Sequence, residues 1–324
     1  MKKIILLLTA ILIMISTIGC TESDLENYKS AMDKTDNMSK GTVQIEMSSK
    51  MDFNTEGLDD EIIKSIEKFK EWGMTIRSRF DKGLGKGIDE GYVVAGGLGY
   101  DFNIYELEEK IYIEPLFINL KDKRFIEINP NEFSTDTEDS EDLFKVFSYK
   151  WSEILKEDNV MKGEKVLITT DDGEVKSREF TISLNDEQLK ELLIFIIEYM
   201  EQNDEYKDIF DEMVTYSEDI ELTEEEKDKV YVEIMNVMKE FITDADELNL
   251  FYKAYIDIDN YVVKEDITFN FKNGSKNSGE LQSIIYDMVI QYENIEKEQN
   301  IEFENPELSN TIKLEDIDWE ELKW

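Results

Sequence analysis

Between residues 42 and 53 the chain alternates with a period of two. Val43, Ile45, Met47, Met51 and Phe53 are apolar, whereas Thr42, Gln44, Glu46, Ser48, Lys50 and Asp52 are polar. Successive side chains of a strand point to opposite faces, so this run sets one face on a core and the other in water. Any fold for the chain must therefore contain a sheet with one wet side.

The neighbouring segments build around that strand. Ser23 and Glu26 stand at capping-box spacing ahead of Leu25, Tyr28, Ala31 and Met32, which share one helical face until residues 33–40 break it. An amphipathic helix is expected over 59–72 on Ile62, Ile63, Ile66 and Phe69. In the next strand Met74, Ile76 and Phe80 alternate with Arg77 and Arg79. Seven glycines from Gly83 to Gly99 read as a hairpin turn followed by bulges or sites of close backbone approach in a curved strand over 92–102. No Lys-Ser/Thr follows the Gly83–Gly87 spacing, so it is not a phosphate loop. Strands at 110–114 and 124–128, an acidic loop at 135–142 and a helix at 143–155 complete the first half.

The second half repeats the theme. Strands at 165–170 and 175–184 flank Asp171-Asp172-Gly173, a strong hairpin signal. Asn185 and Gln188 cap a helix whose stripe is Leu189, Leu192, Leu193, Ile196, Ile197 and Met200. Tyr206, Ile209, Phe210 and Met213 suggest a helical segment before Thr223-Glu224-Glu225-Glu226, which caps a helix on Val230, Ile234, Val237, Met238 and Phe241. Strands over 250–258 and 261–271 meet at Asp259-Asn260, and a turn over 274–279 leads to a last strand over 281–292. The tail from Ile301 is acidic.

Composition removes whole classes of chemistry. The chain has no histidine, which excludes Ser-His-Asp and Cys-His nucleophilic sites and histidine metal sites. With 36 basic and 76 acidic residues the net charge is −40, a surface that repels nucleic acid and would attract cations or a basic protein partner. Cys20 is the single cysteine, so no intramolecular disulfide can form and stability must come from a core.

Cys20 closes Ser16-Thr17-Ile18-Gly19-Cys20 behind Lys2, Lys3 and the apolar run 4–15. A basic start, a short hydrophobic segment and a small residue before the cut are the parts of a secretory signal. With cysteine at the first mature position, the segment resembles a bacterial lipoprotein signal. That resemblance implies lipid attachment at Cys20 and a home on the extracellular face of the plasma membrane. The apolar stretch of about 15 residues is shorter than the roughly 20 of a spanning helix. Two acyl chains on one cysteine suffice for stable anchoring, at about 0.8 kcal/mol per buried methylene. The organisation expected is a signal peptide at 1–19, a short tether at 20–24 and a single domain of two similar halves at 25–324.

Three stretches carry a further likeness: Ala31-Met32-Asp33-Lys34-Thr35 before the first long strand, Phe180 to Leu193, and Ala254 to Phe269. With the order of elements they resemble the exported lipoproteins related to LolA and LppX, and the Gram-positive lipoproteins of that fold. The resemblance implies an α+β fold: a strongly curved antiparallel β-sheet, an incomplete barrel, wrapped around helices and leaving an apolar cavity for lipids or lipidated proteins. The acidic helices over 59–72 and 203–243 are insertions relative to that pattern.

The face made by Val43, Ile45, Met47, Met51 and Phe53, with Ile267, Phe269 and Phe271, is where an apolar or amphipathic ligand would bind. The same residues could equally pack wholly against the helices. Asp257, Asp259 and Asn260 resemble part of a calcium loop but lack the glycine and final glutamate of an EF-hand, so a β-turn is the expectation. No cofactor and no metal is implied, and no motif marks a catalytic carboxylate pair. Three functions compete: a lipid-anchored, non-enzymatic binding protein, an envelope interaction or regulatory module with a filled core, and a carboxylate glycosidase, for which no motif speaks.

Overall fold

The computed structural model describes residues 23–107, 110–116, 123–128, 143–171, 173–203, 206–207, 210, 223–274, 281–299, 301, 310–313 and 317. Cys20 and the leader, the loop at 135–142, Ile209 and Met213, the turn at 275–279 and most of the acidic tail lie outside these residues.

The fold is α+β, with one unclosed sheet of twelve strands. Helix α1 (Asp24–Asp36) leads into β1 (Lys40–Phe53), α2 (Asp60–Phe69), β2 (Glu71–Asp81), β3 (Lys86–Ala95), β4 (Leu98–Leu107), β5 (Lys110–Pro115) and β6 (Phe125–Ile128). Helix α3 (Leu143–Ile154) precedes β7 (Val160–Thr170), β8 (Gly173–Ile182), α4 (Asp186–Gln202) and α5 (Glu224–Thr243). The chain ends with β9 (Glu247–Asp257), β10 (Val262–Lys272), β11 (Leu281–Glu293) and β12 (Thr311–Lys313). The strand order is β12-β6-β5-β4-β3-β2-β1-β11-β10-β9-β8-β7. Every neighbouring pair is antiparallel except β12 on β6. β1 therefore sits near the middle and joins the early hairpins to the late ones.

Capping chemistry starts the helices where the sequence places them. Ser23 Oγ accepts the Glu26 N–H at 3.1 Å while the Glu26 carboxylate accepts the Ser23 N–H at 3.2 Å. Asn185 and Gln188 exchange the same pair of bonds, at 2.8 and 3.2 Å. Buried side chains of α1, α3 and α4 (Tyr28, Ala31, Trp151, Ile154, Leu192) meet Phe180, Ile182, Tyr252, Ala254 and Val262 of β8, β9 and β10 in the main core. A second cluster joins Leu189 of α4 to Leu248 and Phe271, with Phe241 of α5 packed against it. The helices thus cover one face of the late strands.

Several sequence expectations need correction. Helix α1 does not break at Asp33. It runs through Asp36, held by the Thr35 hydroxyl, which donates to the Ala31 carbonyl at 2.8 Å. The helix expected over 59–72 stops at Phe69, and Trp72 belongs to β2. The curved strand expected over 92–102 is a hairpin, β3 and β4, which turns at Gly96 and Gly97 with φ of 60° and 77°. Only glycine adopts such φ values freely. β7 begins at Val160, with a register shift between Lys162 and Lys165. Helix α5 buries Tyr231 and Met235, whereas Val237 is 58 % exposed and Ile234 and Met238 also face water. The Tyr231 hydroxyl donates to the Met200 carbonyl at 2.7 Å, which turns that face toward α4. Strand β12 has three residues, too few to carry a periodicity in the sequence.

Candidate functional site

Register shows which candidate side chains share a face. Met47 of β1 stands between Met74 of β2 and Met288 of β11, and Met288 in turn faces Ile267 of β10. Ile45 likewise stands between Ile76 and Ile290. Met51 faces Ile284, which faces Phe271, and Ser49 falls between Trp72 and Tyr286. The apolar phase of β1 therefore continues across β11 into β10, as the alternation implies.

Cover differs along that face. Phe271 is 2 % exposed, and its ring stacks on Phe241 at 4.0 Å, so the space above it is filled. Phe269 packs in the same cluster and Ile267 against the main core. Val43, Ile45, Met47, Met51 and Phe53 are only half-buried. Among the described residues no buried cluster extends onto Met47, Met74, Met288 or the isoleucines beside them. Three methionines in one row across three strands form a soft, adaptable surface. The Tyr286 hydroxyl reaches Met47 Sδ at 2.8 Å, and the Trp72 and Tyr286 rings, 6.1 Å apart, lean over buried Ser49.

Beside this surface lies a buried polar chain that the sequence reading missed. Glu265 of β10 is 4 % exposed and, among the described residues, forms no ion pair. Its carboxylate accepts from the hydroxyls of Tyr252, at 2.7 Å, and Tyr292, at 2.8 Å. Tyr28 donates to the Tyr252 oxygen at 3.0 Å, and the Trp151 indole donates to Tyr28 at 3.1 Å. Burial raises the Glu265 pKa above its usual value, and burial also holds Tyr252 and Tyr292 well above the ordinary phenol range. One signal was present in the sequence: Glu265 falls in phase with Ile267, Phe269 and Phe271, an acid where an apolar residue belongs. With every hydrogen bond pointing at one fixed carboxylate, the chain locks α1 and α3 onto the sheet.

The Asp257–Asn260 segment is a turn. Asp257 Oδ1 accepts the N–H groups of Asp259 and Tyr261, both at 2.9 Å, and Asn260 takes a φ of 63°. Those bonds make Asp257 Oδ1 the acceptor that closes the turn. Among the described residues no three acidic, histidine or cysteine side chains gather as metal ligands, and no helix is long and apolar enough to cross a membrane.

A groove of about 700 Å³ opens between the first turns of α1, the β7–β8 hairpin and the β9–β10 turn. Phe180 and Ile256 form part of its floor, and Lys162, Lys165, Lys176 and Arg178 stand around it. The hairpin tip is pinned elsewhere. Arg77 of β2 donates to Asp171 at 2.6 Å, the Asp171 N–H donates to Glu293 at 2.9 Å, and Gln291 donates to the Thr169 carbonyl at 3.2 Å. These ties bypass β9 and β10 in the sheet order.

No protein-family model matches the chain, and no curated protein matches it. Among solved structures, it is similar to the crystal structure of a β-barrel-like protein of the domain of unknown function DUF1849 from Brucella abortus. The two share 7% identity, and the match covers 81% of this chain and 100% of that one at a TM-score of 0.19. A score that low supports neither a shared fold nor a shared activity.

Proposed function

We propose that this chain is an exported lipoprotein, anchored through Cys20 on the extracellular face of the plasma membrane, that binds an apolar or amphipathic ligand and carries out no chemistry on it. The observation that carries the reading is the row Met74–Met47–Met288 with Ile76, Ile45 and Ile290 beside it, a half-buried apolar face that continues past the helix-covered strands. Covering such a face with an acyl chain would contribute about 25 cal/mol per Å² of apolar surface. The finer architecture belongs to the same proposal: the sheet curls as an incomplete barrel around its helices. The ties from the β7–β8 tip to β2 and β11 support that curl. A second reading, an interaction module for another surface protein, is favoured by the apolar residues that α5 leaves in water, Val232, Val237 and Met238.

Two variants test the leading reading. Met47→Trp should weaken the calorimetric affinity for fatty acid or lysophospholipid about tenfold while leaving the melting temperature in place. Saturable binding of neither ligand by the unmodified protein would overturn the ligand assignment and leave the interaction module standing. Cys20→Ser should release the protein from the membrane or trap its precursor. A Cys20→Ser chain that is still processed and membrane-bound would overturn the anchor.

A further inference from the structure

In a chain of net charge −40, four neighbouring cations whose side chains form no ion pair among the described residues call for an explanation. Lys162 and Lys165 of β7 and Lys176 and Arg178 of β8 surround the groove beside α1, and their register places them on one face: Lys165 opposite Arg178, Lys162 opposite Phe180. None of the four ion-pairs with a carboxylate among the described residues. Arg178 instead donates to the Gly163 carbonyl at 3.1 Å, and the Lys162 ammonium lies 5.7 Å from the Phe180 ring. One carboxylate lines the groove, Asp257, and its Oδ1 is engaged by the two N–H groups of its own turn. Other cations of this chain pair with acids, Lys50 with Glu71, Lys150 with Glu191 and Lys253 with Glu179, or are spread singly, as Lys29 on the Ser152 carbonyl and Lys34 on the Asp259 carbonyl, whereas these four stand together.

The groove is also apolar where an ionic site would not need to be. Phe180 and Ile256 are buried in its floor, while Leu167 at the rim is 55 % exposed and Ile258, at the tip of the β9–β10 turn, is 88 % exposed. A volume of about 700 Å³ falls within the usual range for a small-molecule site. Cations around an apolar floor with projecting aliphatic side chains match a molecule that is anionic at one end and greasy at the other. Outside the lining, Asp24 of α1 comes close, its carboxylate accepting the backbone N–H of Lys162 at 3.3 Å.

Position then selects the source of such a molecule. Asn27 of α1 lines the groove, and Ser23 caps that helix. Cys20 lies three residues before Ser23, within about 10 Å of extended chain. If Cys20 carries lipid, as proposed above, the groove stands at the membrane. We propose that this groove is a binding site for the phosphate headgroup of an anionic phospholipid, with Lys165, Lys176 and Arg178 meeting the phosphate and Ile258 and Leu167 entering the acyl boundary. The tethered protein would then be held in one orientation, with its α1 end on the bilayer.

The test uses the chain from residue 20 onward with Cys20→Ser, so that no acyl anchor contributes and the attachment at Cys20 is judged separately by whether the full-length Cys20→Ser chain stays membrane-bound in cells. It is sedimented with vesicles of pure phosphatidylcholine, or of phosphatidylcholine and phosphatidylglycerol in equal parts. Binding should be at least about tenfold tighter on the anionic vesicles, and Lys165→Glu with Arg178→Glu should abolish that difference. Lys165→Gln with Arg178→Gln gives the same loss without introducing acid, and Lys50→Glu, a charge change on β1, should leave binding unaltered. Ile258→Asp should weaken binding to the anionic vesicles although no cation is touched. Equal binding to both vesicles, no binding to either, or indifference to both double variants would overturn the proposal. So would full competition by free glycerol phosphate with Ile258→Asp silent, which would mark a site for a soluble anion. Preferential binding of an acidic peptide, with no response to phosphatidylglycerol, would equally overturn it.

Discussion

At the residue scale, Glu265 is the most demanding side chain in the fold. A buried carboxylate without a cation is costly, and two phenol donors offset only part of that cost. Burial raises its folded pKa above the usual value of 4.5, so at intermediate pH the folded state binds a proton that the unfolded state has released. The sign follows: the contribution of this group to stability falls as pH rises from 4.5 through the raised folded value, and levels off once Glu265 is ionised. Glu265→Gln removes the titration while keeping an acceptor for one tyrosine. Urea midpoints of the variant should therefore gain on those of the unmodified protein as pH rises through that window. A difference that stays constant from acid to neutral pH would show that Glu265 does not titrate with folding. The amide must in addition place an N–H₂ group near Tyr252 or Tyr292, a fixed cost of about 1–3 kcal/mol at any pH if it finds no acceptor.

At the scale of elements, β1 carries the argument because its alternation was legible in sequence and its burial was not. Ile45 stands between Ile76 and Ile290 on the apolar face, half-buried, whereas Glu46 is exposed on the other. Ile45→Asp should cost about 1–3 kcal/mol by leaving a carboxylate among aliphatic neighbours. Glu46→Lys should stay within about 0.5 kcal/mol. Equal midpoints for the two would mean that the apolar phase of β1 contributes nothing to the fold. Strands with side-chain alternation were read to within a few residues, as β1, β2, β8, β10 and β11 show. The β3–β4 hairpin was misread because its glycines break the alternation: Phe102 lies over Gly91 and Tyr92 over Gly99, each ring filling space that a Cβ would need. Helix α5 has apolar side chains on two sides: of the expected stripe Phe241 packs inward on Phe271 while Ile234, Val237 and Met238 face water, and contact with α4 selects Tyr231 and Met235 instead. For the candidate site, periodicity identified the shared face from Val43 to Phe271. It could not say that α5 sits on Phe271 and that no buried cluster reaches Met47, because cover depends on how separate elements pack and leaves no periodicity within one strand.

At the scale of the molecule, the sheet is continuous but its support is uneven. The main core and the α4–β9–β10 cluster rest on β8, β9 and β10, where α1, α3, α4 and α5 contribute side chains. On the other side of β1, the cluster around Ile126 and Ile317 holds the β5–β6–β12 edge with few residues, and β3 and β4 contribute Ile88 alone to the buried apolar set. Local opening follows buried apolar contacts rather than hydrogen-bond count, since an antiparallel ladder with little packing can fray without unfolding the rest. Amide exchange should therefore be slowest in β8–β10 and faster in β3 and β4, by about tenfold or more, given that each 1.4 kcal/mol of opening free energy is one factor of ten. The half-buried methionine row on β1, β2 and β11 lies at the boundary between the two regimes, where a bound ligand would add packing that the free protein lacks. Saturating ligand should then slow exchange in β1, β2 and β11 while leaving β8–β10 unchanged. Uniform protection across all strands of the free protein would show that the sheet opens as one unit, and that the uncovered face is no softer than the helix-covered one.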